Sequence, residues 1–218
     1  MNDYLIFGAS GLTGNHFLNQ VKKEGQKYHL FVRSLISNEQ ESNQTTFSFE
    51  NIKDLPPSIN LVICLGYPLN FKELIYMDKK TKDAFKNVDF DLVVEIAKKA
   101  KDLGIPNIAI ISAVGSKLNS LNFYLDTKAR MENEILSLGF NKTFFAKPGH
   151  LLGPRHESRI DNWVRVIEFF GKIFGSFFIG PLKKYKNIEA NIVAEELFKE
   201  INENNPISND LIEIHERK

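Results

Sequence analysis

The chain has 218 residues, 43% of them hydrophobic and 25% charged, with 8 Pro and 13 Gly. That balance fits one globular domain and excludes collagenous or largely disordered classes. Lys plus Arg number 28 against 27 Asp plus Glu, a net charge of +1, so no global field would draw the chain to nucleic acid or to an anionic membrane.

The opening residues predict a βαβ unit: a strand at 3–8, a glycine-rich turn, a helix to about Gly25 with Phe17, Leu18 and Val21 on one face, and a strand at 28–32. A third strand is expected at Thr45–Phe49, and Leu55-Pro56-Pro57 reads as a loop. Leu61–Leu65 is apolar throughout, as a parallel strand buried on both faces should be. Residues 69–84 are mixed and helical in part. The spacing of Val88, Leu92, Ile96 and Ala100 predicts a helix over Asn87–Leu103 that Gly104 stops. A buried strand at Ile108–Ser112, a helix at Tyr124–Leu138 and a strand at Thr143–Ala146 follow. The remainder reads as a loop at 147–158, helices near 160–174 and 189–202, and a short strand at Leu211–Ile214.

This alternation implies a doubly wound parallel sheet with helices on both faces, a Rossmann fold with a small C-terminal helical extension. The expected organisation is a single domain over 1–218, with residues 150–218 contributing a small lobe on the substrate side.

Gly8-Ala9-Ser10-Gly11-Leu12-Thr13-Gly14 sets glycines three apart in the first strand-to-helix turn. A dinucleotide's pyrophosphate needs close backbone approach and free N–H groups at a helix N-terminus, which glycines permit and side chains block. The second strand ends in Val32-Arg33-Ser34, with Arg33 where an NAD-preferring protein places a carboxylate for the ribose 2′-hydroxyl. A guanidinium suits a 2′-phosphate, so NADP(H) is favoured over NAD(H). The structural alternative for Arg33 is a solvated side chain at a strand end.

Tyr124 and Lys128 stand four residues apart at the start of a predicted helix, on one face. A neighbouring ammonium would favour the tyrosine phenolate and tune it for proton transfer. Ser112 ends a predicted parallel strand, at the carboxyl edge where open α/β sheets bind ligands, and its hydroxyl could hold a substrate carbonyl. The bland account of the pair is a half-buried ring with a snorkelling lysine.

These residues resemble those of the short-chain dehydrogenases/reductases, and more closely an atypical NAD(P)H-binding branch that includes the Tat-interacting oxidoreductase-like proteins. The resemblance covers roughly residues 3–200 and rests on GASGLTG at 8–14, VRS at 32–34, NVDFDLVVEIAKKAKDLGI at 87–105, ISAVGS at 111–116, FYLDTKARME at 123–132 and KPGHLLGPRHESR at 147–159. The last block, with Arg155-x-Glu157-x-Arg159, is the most discriminating. It implies that Ser112, Tyr124 and Lys128 match the catalytic serine, tyrosine and lysine, and that Lys128 also holds the nicotinamide ribose. Arginine usually stands where this chain has Lys147.

Other features carry less. His16, His29, His150, His156 and His215 show no metal-ligand spacing, so no metal is assigned. Cys64, the sole cysteine, reads as a core residue, and Asp126 points to another helix face than the catalytic pair. The aromatic run Trp163, Phe169, Phe170, Phe174, Phe177 and Phe178 suits core packing, a cover for the cleft, or an interface in a homo-oligomer. The lone cysteine and the absence of a basic leader give the expectation of a cytoplasmic protein with no membrane partner. Together these readings predict an NADP(H)-dependent oxidoreductase acting on a small carbonyl or alcohol. The rival is a dinucleotide-sensing protein that binds NADPH without chemistry.

Overall fold

A computed structural model describes residues 1–47, 52, 54–149, 151–152, 188–203 and 211–213. Its centre is β1 (Asn2–Phe7). Alternation along β1 sends Tyr4 and Ile6 to one face and Leu5 and Phe7 to the other, and all four are buried. That double burial is what a central parallel strand requires. Around β1 lie β2 (Tyr28–Val32), β3 (Gln44–Thr46), β4 (Ser58–Ile63), β5 (Asn107–Ile111), β6 (Lys142–Lys147) and the last strand, β9 (Leu211–Glu213). The sheet order is β3-β2-β1-β4-β5-β6-β9, and every pairing in it is parallel. Connections from β1 run one way to β2 and β3, then cross back to β4, so the topological switch point falls between β1 and β4. In such sheets ligands bind at the carboxyl ends of the strands beside that point.

Helix α1 (Leu12–Lys23) lies on one face of the sheet with α6 (Ala190–Asn202). Phe17, Leu18 and Val21 of α1 and Val193, Ala194, Leu197 and Ile201 of α6 pack on Tyr4, Ile6, Leu30 and Val62. The Tyr4 hydroxyl donates to Asn202 Oδ1 at 2.7 Å and fastens the end of α6 to β1. The opposite face carries α4 (Val93–Asp102) and α5 (Phe123–Ser137), whose Ile96, Ala97, Ala100, Met131 and Ile135 meet Leu5, Phe7, Leu61, Ile63, Ile108 and Ile110. The doubly wound parallel fold is therefore the one read from the alternation of strands and helices.

Differences from that reading are local. The stretch at 69–84 is helical in part, as expected, with α2 (Phe71–Ile75) and α3 (Lys79–Lys86) capped by Asn70 and Asp78, but α3 runs past it to Lys86. The helix expected from Asn87 instead begins with a π turn, Asn87–Leu92, between α3 and α4. The wider turn slips the helical register by one residue, so Asp89 is buried where the 3.6-residue period assigned Val88. The third strand covers Gln44–Thr46, earlier than expected. Leu151–Leu152 (β7), within the expected loop, pairs in parallel with Ile188–Glu189 (β8). Within 150–218, α6 packs on one face of the central sheet and β9 joins the sheet beside β6. The expected helix at 160–174, its aromatic run, and Arg155, Glu157 and Arg159 lie outside the described residues.

Candidate functional site

The glycine turn sits where β1 gives way to α1, beside the switch point. Gly8 has φ +85°, and a Cβ there would stand 2.5 Å from the Cys64 carbonyl oxygen. A Cβ on Gly14 would stand 2.1 Å from the Gly8 carbonyl oxygen. Neither position admits a side chain. Gly11 caps α1, and its own N–H bonds the Gly8 carbonyl at 2.9 Å. No side chain caps α1 and no acidic residue occupies its first turn, so the N-terminal N–H groups and the positive end of the helix dipole face an anion without competition. Ser10 is exposed, Leu12 half-buried and Thr13 buried in this turn. The residues present fit a dinucleotide's pyrophosphate: a tight turn at Gly8, an open approach at Gly11 and close packing of helix on strand at Gly14.

Arg33 is exposed just past β2. Phe7 is in register with Phe31, so Arg33 stands level with the start of the glycine turn, and among the described residues no carboxylate pairs with it.

Tyr124 and Lys128 lie on one face of α5, whose first turn is capped by the Asn122 side chain accepting from the Leu125 N–H at 3.1 Å. Lys128 is buried, and its Nζ meets Asp89 Oδ1 at 2.7 Å and the Ile111 carbonyl at 3.4 Å. The other Asp89 oxygen accepts the Tyr67 N–H at 2.6 Å. Burial opposes the Lys128 charge, but Asp89 first, then Tyr124 and Glu132, outweigh it and hold the ammonium above its ordinary value. Tyr124 is half-buried against the Phe85 ring, with centroids 5.4 Å apart. Its phenol is pushed up from the usual value, chiefly by burial. Lys128 pulls it down and Asp89 pushes it up again. Lys128 thus favours the phenolate, but burial outweighs it, and Asp89, which was not visible in the sequence pattern, adds to the upward push.

Ser112 follows β5 directly, and its N–H bonds the Ala146 carbonyl at 2.8 Å. Its hydroxyl donates to Glu132 Oε1. That oxygen also accepts from the Ser116 hydroxyl at 2.7 Å, while Oε2 meets Lys147 Nζ at 2.8 Å. Lys147 in turn donates to Ser116 Oγ at 2.9 Å. Glu132 and Lys147 are both buried. Asp89, Lys128, Glu132 and Lys147 therefore form a row of alternating charge from the π turn through α5 to the end of β6.

Sequence reasoning missed Asp89 and Glu132. Glu132 was within reach, since it continues the stripe of Tyr124 and Lys128 at every fourth residue. Asp89 had no such signal, because a π turn breaks the helical period. Asp126 lies off this row, bonded to Arg130 Nε at 2.7 Å and to the Asn119 N–H at 2.7 Å. Burial pushes the Cys64 thiol up to about 12, which suits a packing residue better than a nucleophile. A cavity of about 370 Å³ among His29, Thr45, Asp54, Leu55, Pro56 and Leu103 lies at the amino edge of the sheet, away from this site.

Solved structures share this architecture at low identity. ElxO with NADP bound superposes with a TM-score of 0.72 over 97% of this chain and 96% of its own, at 15% identity. The UDP-N-acetylglucosamine 4-epimerase from Bacillus cereus gives 0.68 over 99% and 78%, at 14% identity. The chain thus shares its fold with these proteins. No family model matches it.

Sequence relatives narrow the class. The protein HTATIP2 of Rattus norvegicus is 30% identical over 182 residues, 80% of this chain and 73% of that protein. Mitochondrial FMP52 of Kluyveromyces lactis is 30% identical over 161 residues, 70% of this chain and 68% of its own. FMP52 of Debaryomyces hansenii is 40% identical over 75 residues, but that match spans only 33% of its length. The chain belongs to the atypical short-chain dehydrogenase/reductase family of HTATIP2 and FMP52. The yeast names also correct the expected cytoplasmic placement, for they point to mitochondria. A lone cysteine does not distinguish the two compartments. Among the described residues no helix is long and apolar enough to cross a membrane.

Proposed function

We propose that the protein is an NADP(H)-dependent oxidoreductase that converts a small carbonyl compound to an alcohol or the reverse. The observation that carries this reading is the Tyr124–Lys128 pair, held by Asp89 near the carboxyl end of β5, in a fold whose glycine turn is shaped for a dinucleotide. Gly8, Ser10, Gly11, Leu12, Thr13 and Gly14 hold the pyrophosphate, Arg33 the 2′-phosphate, and Lys128 the nicotinamide ribose. The cofactor, when bound, supplies or takes up the hydride. Tyr124 gives or receives the proton at its phenolic oxygen. Ser112 polarises the substrate oxygen once its hydroxyl turns from Glu132 toward the cleft.

One arrangement supports the second reading, a protein that senses NADP(H) without turning it over. The Ser112 proton is committed to Glu132 and the Tyr124 phenol is held above its ordinary value. Titration with NADPH, followed by a carbonyl-compound screen that monitors loss of nicotinamide absorbance, separates the two. The oxidoreductase reading expects turnover that falls ~10²–10⁴-fold in Tyr124→Phe with NADPH affinity nearly unchanged. Tight binding with no turnover of any compound would leave the sensor.

A further inference from the structure

The carboxylate that reaches Lys128 comes from the π turn, an element seen mostly as single turns within helices and often at functional sites. Asp89 and Lys128 are 2% and 4% exposed and 2.7 Å apart. With its other oxygen on the Tyr67 N–H at 2.6 Å, Asp89 ties the loop after β4 to α5. The groups facing the ammonium are Asp89 from the π turn, the Ile111 carbonyl from β5, and Tyr124 and Glu132 from α5 itself. Glu132 is already matched by Lys147 at 2.8 Å, and Asp91 by Lys86 at 2.7 Å. Asp89 is therefore the carboxylate that meets Lys128 directly.

We propose that Asp89 is a positioning residue for the Tyr124–Lys128 pair, its carboxylate claiming the Lys128 ammonium so that Tyr124 waits as a neutral phenol, ready to give a proton. This rests on the reading of Tyr124 and Lys128 as the proton-handling pair. An ammonium without a partner would draw out the phenolate beside it. A carboxylate at ion-pair distance cancels most of that field, and the half-buried ring supplies little solvation for a second anion. A phenol held neutral serves carbonyl reduction directly, whereas oxidation of an alcohol would first require its deprotonation. The geometry therefore assigns Tyr124 the protonated starting state that carbonyl reduction requires near neutral pH.

The test is the titration of the full chain labelled with ¹³Cζ-tyrosine, followed by NMR, with Tyr124→Phe identifying the Tyr124 resonance. In wild type Tyr124 titrates above an ordinary tyrosine, chiefly because it is buried. In Asp89→Asn its midpoint falls by about 1 to 3 pH units, while the other tyrosines keep theirs. Should Asp89→Asn not fold, Asp89→Ser leaves room for water beside the ammonium and is read the same way. A Tyr124 midpoint in wild type below that of an ordinary tyrosine, or an unmoved midpoint in either folded variant, would overturn the proposal. The readout needs no turnover. A shifted midpoint in a protein that reduces no carbonyl compound would keep the Asp89 assignment and remove the oxidoreductase reading.

Discussion

The two halves of the carboxyl edge are held by different forces. At the glycine turn the backbone packs on itself, and the 2.1 Å and 2.5 Å approaches at Gly14 and Gly8 leave no room for a methyl group. The other half is held by side-chain charge: Asp89, Lys128, Glu132 and Lys147, each 5% exposed or less, alternate in sign. Burial of such charges is tolerated because each finds an opposite partner within 2.8 Å. The first half should thus fail when volume is added and the second when charge is removed.

The largest expected effect is on the charged half. Lys147→Met leaves the Glu132 carboxylate buried with only two hydroxyl donors, and loss of one partner from a buried pair costs about 3 to 5 kcal/mol. The double variant Glu132→Leu/Lys147→Met should recover much of that loss, since an apolar pair of similar volume avoids the unpaired charge. Urea denaturation of the two variants checks both figures. A single variant within about 1 kcal/mol of wild type, the scale of a surface pair, would dissolve the contrast. The same half should also weaken in alkali. Lys128 and Tyr124 both have folded values above their ordinary ones, so the folded state binds more protons than the unfolded as pH passes about 10. Their contribution is present at neutral pH and is lost as pH climbs through that window.

Next comes the glycine half. Gly14→Ala drives a methyl group into the Gly8 carbonyl, an overpacking cost of about 3 kcal/mol, and it should abolish NADPH binding. Gly11→Ala meets the same oxygen only at 3.2 Å, so it should retain the fold and lose affinity instead. Denaturation and fluorescence titration of the pair distinguish the roles. Equal stability of both variants would show that the close approach at Gly14 is not what holds the turn.

The sequence was legible where one local rule decides the structure. Alternating apolar runs located the parallel strands, and the spacing of Gly8, Gly11 and Gly14 located the tight turn between β1 and α1. It was less legible where partners come from distant segments. Lys147 and Glu132 meet across 15 residues of chain and Asp89 and Lys128 across 39, and a single sequence carries no sign of either encounter. Val88 illustrates the reason: it satisfied the helical period better than Asp89, yet the π turn gave the buried place to the carboxylate.

A smaller effect is expected at Arg33, which extends the glycine half with the only charge proposed to touch the cofactor there. Being exposed, it contributes to binding rather than to stability. Arg33→Ala should cost NADPH about 1.5 to 3 kcal/mol of affinity and leave NADH unchanged, which calorimetric titration of both cofactors would reveal. Equal affinity of wild type for the two would remove the 2′-phosphate assignment while leaving the pyrophosphate turn intact.

The smallest effect tests whether burial, rather than charge pairing as such, sets the contrast. Arg130 and Asp126 form an ion pair at 2.7 Å on α5, the helix that also carries Lys128 and Glu132, and its length matches the buried pairs. The Arg130 side chain, however, is 59% exposed. Water screens the attraction and solvates whichever partner remains, so an exposed pair four residues apart on a helix is worth about 0.3 to 0.5 kcal/mol. Arg130→Ala should therefore shift the urea midpoint barely beyond error, and raised salt should reduce even that difference. Asp126 would keep its bond to the Asn119 N–H, so the loop before α5 should hold its shape and the Tyr124 titration should not move. A loss comparable to that of Lys147→Met would mean that α5 depends on its charges wherever they lie, and the distinction between its buried and solvated faces would fall.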